Sequence, residues 1–207
     1  MTFFRLNISM LMCFLILSAC LEADLQRLME GNQRFVQEKL KHPGRTPETR
    51  KATTSGQEPF AIIMGCSDSR VPPEVIFDQG IGDLFVVRVA GNVIGPLELD
   101  SINYSALHLG SSVIVVLGHQ GCGAVNAVVE GESQDIKAVA ALIEPAVKEA
   151  RKGQPPNLLE TAIKDNAIRM KDYLLKTPEI RKLVDAGKIE VYAGYYKSKT
   201  GAVEILK

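Results

Sequence analysis

From residue 60 to residue 117 the chain repeats one pattern, a short apolar run followed by a stretch whose apolar residues fall at helical spacing. Runs this short are strands, and without polar alternation they must be covered on both faces. Strands are predicted at Phe60–Met64, Leu84–Val89 and Val113–Leu117, with a fourth at Ile189–Tyr196. Helices are predicted over 72–78, 96–109, 122–130, 136–151, 157–176 and 178–186. Such alternation makes an α/β fold, a mostly parallel sheet flanked by helices, here expected in the order 2-1-3-4-5. The turn at Ser198–Gly201 is too short for a crossover, so a last strand at Ala202–Leu206 must return antiparallel.

Composition narrows the function classes. Lys plus Arg and Asp plus Glu each number 24, so no net positive field exists to hold a nucleic-acid backbone, and nucleic acid is not an expected partner. Four cysteines are too few for a disulfide-built fold. No GxGxxG follows a strand and no GxxxxGK[ST] occurs, so nucleotide binding lacks its main signature.

Residues 1–20 differ from the rest. Ile8 to Ala19 is almost wholly apolar and ends in small residues, the pattern of a signal peptide, and it is shorter than the ~20 residues a spanning helix needs. Leu17, Ser18, Ala19 and Cys20 are similar to a bacterial lipobox, which makes Cys20 the candidate lipidated first residue of an exported protein, periplasmic or anchored to a membrane. One domain is expected over 21–207. It would open with an amphipathic helix pair or bent helix from Leu21 to Val36, followed by an extended arm over 41–59, rich in Pro, Gly, Thr and charge.

In parallel sheets, ligands sit beyond the carboxyl ends of strands where the winding reverses. The loop after the first strand reads Gly65, Cys66, Ser67, Asp68, Ser69, Arg70, and the loop after the third reads Gly118, His119, Gln120, Gly121, Cys122, Gly123. With those strands adjacent, Cys66, His119 and Cys122 could converge on one ion. Two thiolates and an imidazole suit zinc, and three protein ligands leave a fourth tetrahedral position open for catalysis. Asp68 could fill that position or orient a water, with Arg70 as its partner. Alternatives remain at this point: two small core cysteines or a disulfide, and a local ion pair that only shapes a turn.

The segments CSDSR, GDLFVVRVAGN and GHQGCGAVNA together closely resemble the beta-class carbonic anhydrases, and the likeness extends from Glu22–Phe35 to Tyr195, Tyr196 and the Thr200–Gly201 turn. The resemblance implies reversible hydration of carbon dioxide to bicarbonate and a proton, with one Zn2+ per subunit on Cys66, His119 and Cys122. It also implies an Asp68–Arg70 dyad, with Asp68 as an alternate fourth ligand in a closed state, and a homodimer or tetramer built with the amino-terminal helices. The peptide N–H of Gly123 is a candidate contact for bicarbonate. Two departures stand out: Val89 replaces an Asn common in relatives, and Gln79, before Gly80, is displaced by one residue from a Gln-Pro-Gly turn that supports substrate in some members. Other functions carried forward are hydrolysis of carbon disulfide or carbonyl sulfide on the same fold, and a zinc-binding sensor without turnover. His42 and His108 are expected to be ordinary surface or packed residues, and the five tyrosines to be packing residues.

Overall fold

β1 (Ala61–Gly65) and β3 (Val113–His119) are buried at every residue and lie side by side. They form the centre of a five-stranded sheet of order β2-β1-β3-β4-β5, completed by β2 (Leu84–Arg88), β4 (Glu190–Lys197) and β5 (Ala202–Leu206). The computed structural model describes the chain from residue 8 onward, and its side-chain surroundings from residue 22. All pairings are parallel except β4 with β5. A strand covered by helices on both faces has no polar side to show, which is why Ile62, Ile63, Met64 and Val113–Leu117 carry no alternation.

The helices are α1 (Ile8–Val36), α2 (Pro47–Ala52), α3 (Pro73–Ile76), α4 (Pro96–Tyr104), α5 (Gly123–Glu130), α6 (Lys137–Lys152), α7 (Leu158–Leu174) and α8 (Pro178–Asp185). α7 lies against β3 and β4, and α6 packs on α5 and α7. Their apolar faces, with Ile143, Val147, Ile163, Ala167 and Leu174, join the sheet in one core. Lys and Glu pairs such as Glu144–Lys148 stay on the solvated side.

α1 joins two distant parts of the chain. Its Leu28 is fully buried, and Gly31 lies so close to the end of α3 that a Cβ there would stand 1.8 Å from the Phe77 carbonyl oxygen. The Asn32 amide donates to the carbonyls of Ile76 (3.1 Å) and Gly201 (2.8 Å), and its oxygen accepts from the Val203 N–H at 2.8 Å. Arg34 donates to the fully buried Asp78 carboxylate at 2.7 Å, which also accepts from the N–H groups of Lys41 (2.9 Å) and His42 (3.0 Å). One helix thereby clamps the segment after α3, the arm and the β4–β5 hairpin.

Several local expectations need correction. The segment from Leu21 to Val36 belongs to one helix rather than a pair, because it contains no proline and the lone Gly31 is tolerated within a helix. The arm over 41–59 contains α2 and a 3-10 turn at Thr53–Ser55. Thr46 caps α2 by accepting from the Thr49 N–H at 3.3 Å, and Pro47 takes the first helical position, where its missing N–H costs nothing. The helix expected over 96–109 passes from α4 into a π-helical turn at Ser105–Leu109. Tyr195 and Tyr196 are buried, as packing residues should be, but Tyr104 and Tyr173 are exposed. The backbone of α1 passes through position 20, whereas residues 1–7 and the Cys20 side chain, on which the leader and lipidation expectations partly rest, lie outside the described residues. Among the described residues no helix is long and apolar enough to cross a membrane.

Candidate metal centre

Strand register sets the site. Gly65 pairs with Leu117, so β3 runs two residues past the end of β1, and His119, paired with Tyr196 of β4, is the last residue of the strand rather than part of a loop. Cys66 follows β1 immediately. Cys122 caps α5 three residues after His119, once Gly121 at φ +66° has turned the chain back. The ligand atoms of Cys66, His119 and Cys122 all lie within 4.8 Å of one another, and all three residues are buried.

The atoms are arranged as donors to something. The sulfurs stand 4.0 Å apart, too far for a disulfide, and both cysteines are free. The Nδ1 of His119 faces the Gln120 carbonyl oxygen at 3.1 Å, while Nε2 is buried without a hydrogen-bond partner among the described residues. A buried imidazole nitrogen left bare is costly, and a metal ion beside two thiols removes that cost. The hydrogen bond from Cys122 draws the Cys66 thiol well below its ordinary range against the effect of burial, helped by His119 and by the Asp68 and Gly91 peptides. The same contact, with burial, pushes Cys122 up. The contact between the two thiols therefore favours ionisation of Cys66 over Cys122. The donor set fits zinc.

Asp68 is held beside this cluster. Arg70 grips it through Nε to Oδ1 at 2.9 Å and Nη2 to Oδ2 at 2.6 Å, and its own peptide N–H adds a third bond to Oδ1 at 3.0 Å. These bonds hold the carboxyl far below the usual carboxylate range. Oδ2 is 3.9 Å from His119 Nε2, and Arg70 also reaches the Gly121 carbonyl at 3.3 Å. Gly123 opens α5 and is exposed.

The sequence profile of the carbonic anhydrase family matches residues 61–203, which take in all of these positions. The chain belongs to the carbonic anhydrase family. It is 53% identical over 105 residues to carbonic anhydrase 2 of Mycobacterium tuberculosis H37Rv, a match covering 51% of each chain. It is 43% identical over 136 residues to the carbonic anhydrase of Mycolicibacterium smegmatis, covering 63% of this chain and 66% of that one. The aligned part thus spans about half to two thirds of these curated relatives. Among solved structures it is similar to the beta-carbonic anhydrase CcaA, with a TM-score of 0.71 at 26% identity over 88% of this chain and 95% of that one. A beta-carbonic anhydrase of Sordaria macrospora shares the fold, with a TM-score of 0.68 at 22% identity, covering 78% of this chain and 87% of that one.

This carbonic anhydrase-family site has further supports that residue types alone did not single out. Arg88 donates to the carbonyls of Cys66 (2.8 Å) and Asp68 (2.5 Å), bracing the first ligand loop from β2. The Gly91 N–H donates to Cys66 Sγ at 3.2 Å, and fully buried Asn166 of α7 holds the Gly91 carbonyl at 2.8 Å. Asn166 was detectable in principle, as a polar residue on the helix face that carries Ala162 and Met170. The Val89 substitution leaves the backbone role intact, since its peptide pairs with Gly65 and Ser67 at 3.1 and 3.2 Å. Gln79 is buried with its amide donating to the Phe77 carbonyl at 2.8 Å, beneath α1. His42 is exposed on the arm, and His108 lies 5.7 Å from the Tyr104 ring.

Proposed function

We propose that this chain is a zinc-dependent enzyme that reversibly hydrates carbon dioxide to bicarbonate and a proton. The observation that carries the proposal is the S, S, N donor cluster with an ionised, doubly gripped carboxylate beside it. Cys66, His119 and Cys122 would hold the ion, and zinc so bound supplies the Lewis acidity that brings the pKa of water from about 16 to about 7. His119 contributes an Nε2 lone pair already removed from solvent. Arg70 keeps Asp68 charged, so that the carboxylate accepts a hydrogen bond from the attacking water and aims the remaining oxygen lone pair at carbon dioxide. Gly123, at the amino end of α5, would offer its N–H to bicarbonate. In a closed state Asp68 would take the fourth position on the ion, and the Arg70 grip opposes that move. A sensor that only binds zinc would have no use for this dyad.

Stopped-flow hydration of carbon dioxide by the zinc-loaded full chain tests the proposal, with carbon disulfide and carbonyl sulfide measured beside it. Turnover of the sulfur compounds without carbon dioxide hydration would overturn it, and zinc binding without any turnover would leave a binding module. Arg70→Ala is expected to lower turnover about 10–100-fold, the range for losing a group that orients metal-site chemistry. It should also move Asp68 toward the metal, visible as altered bands in the cobalt-substituted protein. Unchanged turnover with unchanged bands would remove Arg70 from the mechanism.

The assembly is proposed to be a homodimer or tetramer. Leu97 is 78% exposed, Tyr104 and Leu107 lie exposed in the same helical stretch, and β2 at the sheet edge is only half buried, which supports a covered face in solution. The Sordaria macrospora relatives are tetrameric. Light scattering on the purified chain distinguishes these states from a monomer. Export with cleavage before Cys20, and lipidation there, is also proposed, leaving 21–207 as the single folded domain. The intact mass of chain recovered from membranes tests that, and a full-length mass with Met1 retained would refute it.

A further inference from the structure

We infer that Gln120 is a positioning residue for the metal centre, coupling the β4–β5 hairpin turn to the imidazole of His119. The inference rests on the zinc proposal above and concerns what sets the affinity and geometry of that site. His119 is the only imidazole in the cluster, and its ring can rotate about two torsions unless the far nitrogen is held. The holder is the Gln120 carbonyl, 3.1 Å from Nδ1. A carbonyl acceptor requires the proton on Nδ1, which leaves the Nε2 lone pair free to face the two sulfurs.

An acceptor on the very next peptide is useful only if that peptide cannot turn. Gln120 is anchored from several directions. Its N–H donates to the Tyr196 carbonyl at 2.8 Å, one step beyond the last paired residue of β3. Its side-chain Oε1 accepts from the Ser198 hydroxyl and from the Lys199 N–H, each at 3.2 Å. The turn that supplies those donors is closed by bonds from Thr200 and Gly201 to the Lys197 carbonyl, at 3.1 and 2.8 Å. It is gripped from the other side by α1, where Asn32 holds the Gly201 carbonyl and the Phe35 ring lies against Gly201, leaving no room for a Cβ. A continuous set of contacts therefore runs from α1 through the hairpin turn and Gln120 to the metal-facing nitrogen. Among the described residues only the acceptor of the Gln120 side-chain amide takes part, so Glu should replace Gln and an apolar side chain of similar length should not.

The test measures zinc dissociation constants by chelator competition on the full-length protein, and visible absorption bands after cobalt substitution. In the unaltered protein, tight binding with tetrahedral cobalt bands establishes the centre itself, and failure there would overturn the zinc proposal and this inference together. With the centre established, Gln120→Leu is expected to weaken zinc binding about 10–100-fold and shift the cobalt bands, while Gln120→Glu binds zinc as tightly as the parent with its bands unmoved. A purely structural role would lower the melting temperature of the metal-free protein and leave the bands in place. Equal dissociation constants and superimposable bands in Gln120→Leu and the parent would overturn the inference. Should Gln120→Leu fail to fold, Ser198→Ala decides the matter, because that exposed turn position is tolerant and removes one of the two donors to Oε1. About threefold weaker zinc binding is expected from it, and no change would overturn the inference.

Discussion

Cys122→Ser is expected to abolish stoichiometric zinc and reduce carbon dioxide hydration to the rate of the buffer, with the fold intact. Cys122 is fully buried and caps α5, so the near-isosteric oxygen fits the same space and the helix start survives. What is lost is a donor that ionises. A serine hydroxyl has no accessible anion near neutral pH, and two remaining ligands do not hold zinc in a site that must keep one position open. Metal analysis, stopped-flow hydration and thermal melting with and without chelator check this together. The parent should melt at a higher temperature with zinc than without it, since a ligand bound only by the native state stabilises that state. The variant should melt alike in both conditions. One zinc per chain in Cys122→Ser, or turnover close to the parent's, would contradict the assignment.

The second large effect concerns stability. Asp78 is a fully buried carboxylate at φ +46°, holding Arg34 of α1 and the peptide N–H groups of Lys41 and His42. Asp78→Asn tolerates the same backbone but removes the charge and turns an N–H toward groups that already donate. Breaking a buried ion pair from one side costs about 3–5 kcal/mol, which lowers the melting temperature by roughly 10 °C for a chain of this size. Burial alone would raise the Asp78 pKa, but the Arg34 guanidinium and the two N–H donors outweigh it and hold the value below the ordinary carboxylate range. A group with a lowered folded pKa stabilises fully above its unfolded value, about 3.9, and loses that contribution as pH falls through the folded value. The gap between parent and Asp78→Asn should therefore be complete at neutral pH and shrink below about pH 4. Urea titrations at pH 7 and pH 3.5 measure it, and a gap that stays constant, or widens in acid, would show that Asp78 does not act through its charge.

The parts of the chain that were legible share a cause. Ile62, Ile63, Met64 and Val113–Leu117 lack alternation because they are covered on both faces, so their burial is written directly in their composition. The order expected of an alternating α/β chain, and the antiparallel last strand expected from its short turn, both appear in the sheet. Cys66, His119 and Cys122 stood out because the two loops that carry them follow strands expected to be adjacent, and the family resemblance then separated the ligand reading from core cysteines or a disulfide. Boundaries were less legible. Gly118 and His119 looked like loop because no apolar residue marks them, yet their pairing with Tyr195 and Tyr196 makes them strand. α2 was missed although Thr46 and Pro47 carry its capping signal, since a run rich in Pro and Thr hides a six-residue helix. Tyr104 and Tyr173 show the limit of assigning aromatic side chains to the core from composition alone.

Sequence by itself determined the layer architecture and the chemical identity of the donors, because hydrophobic period and side-chain chemistry are local properties of a chain. Only the tertiary structure decided which groups brace the ligand loops and α1: Arg88 on the first ligand loop, Asn166 behind Gly91, the hairpin turn on Gln120, and Asp78 on Arg34 of α1. Each of these contacts joins residues at least 20 positions apart through a hydrogen bond or ion pair whose existence depends on ångström-scale placement. No local pattern encodes such placement. It arises when the strands take their register and α1 closes over the end of α3 and the hairpin.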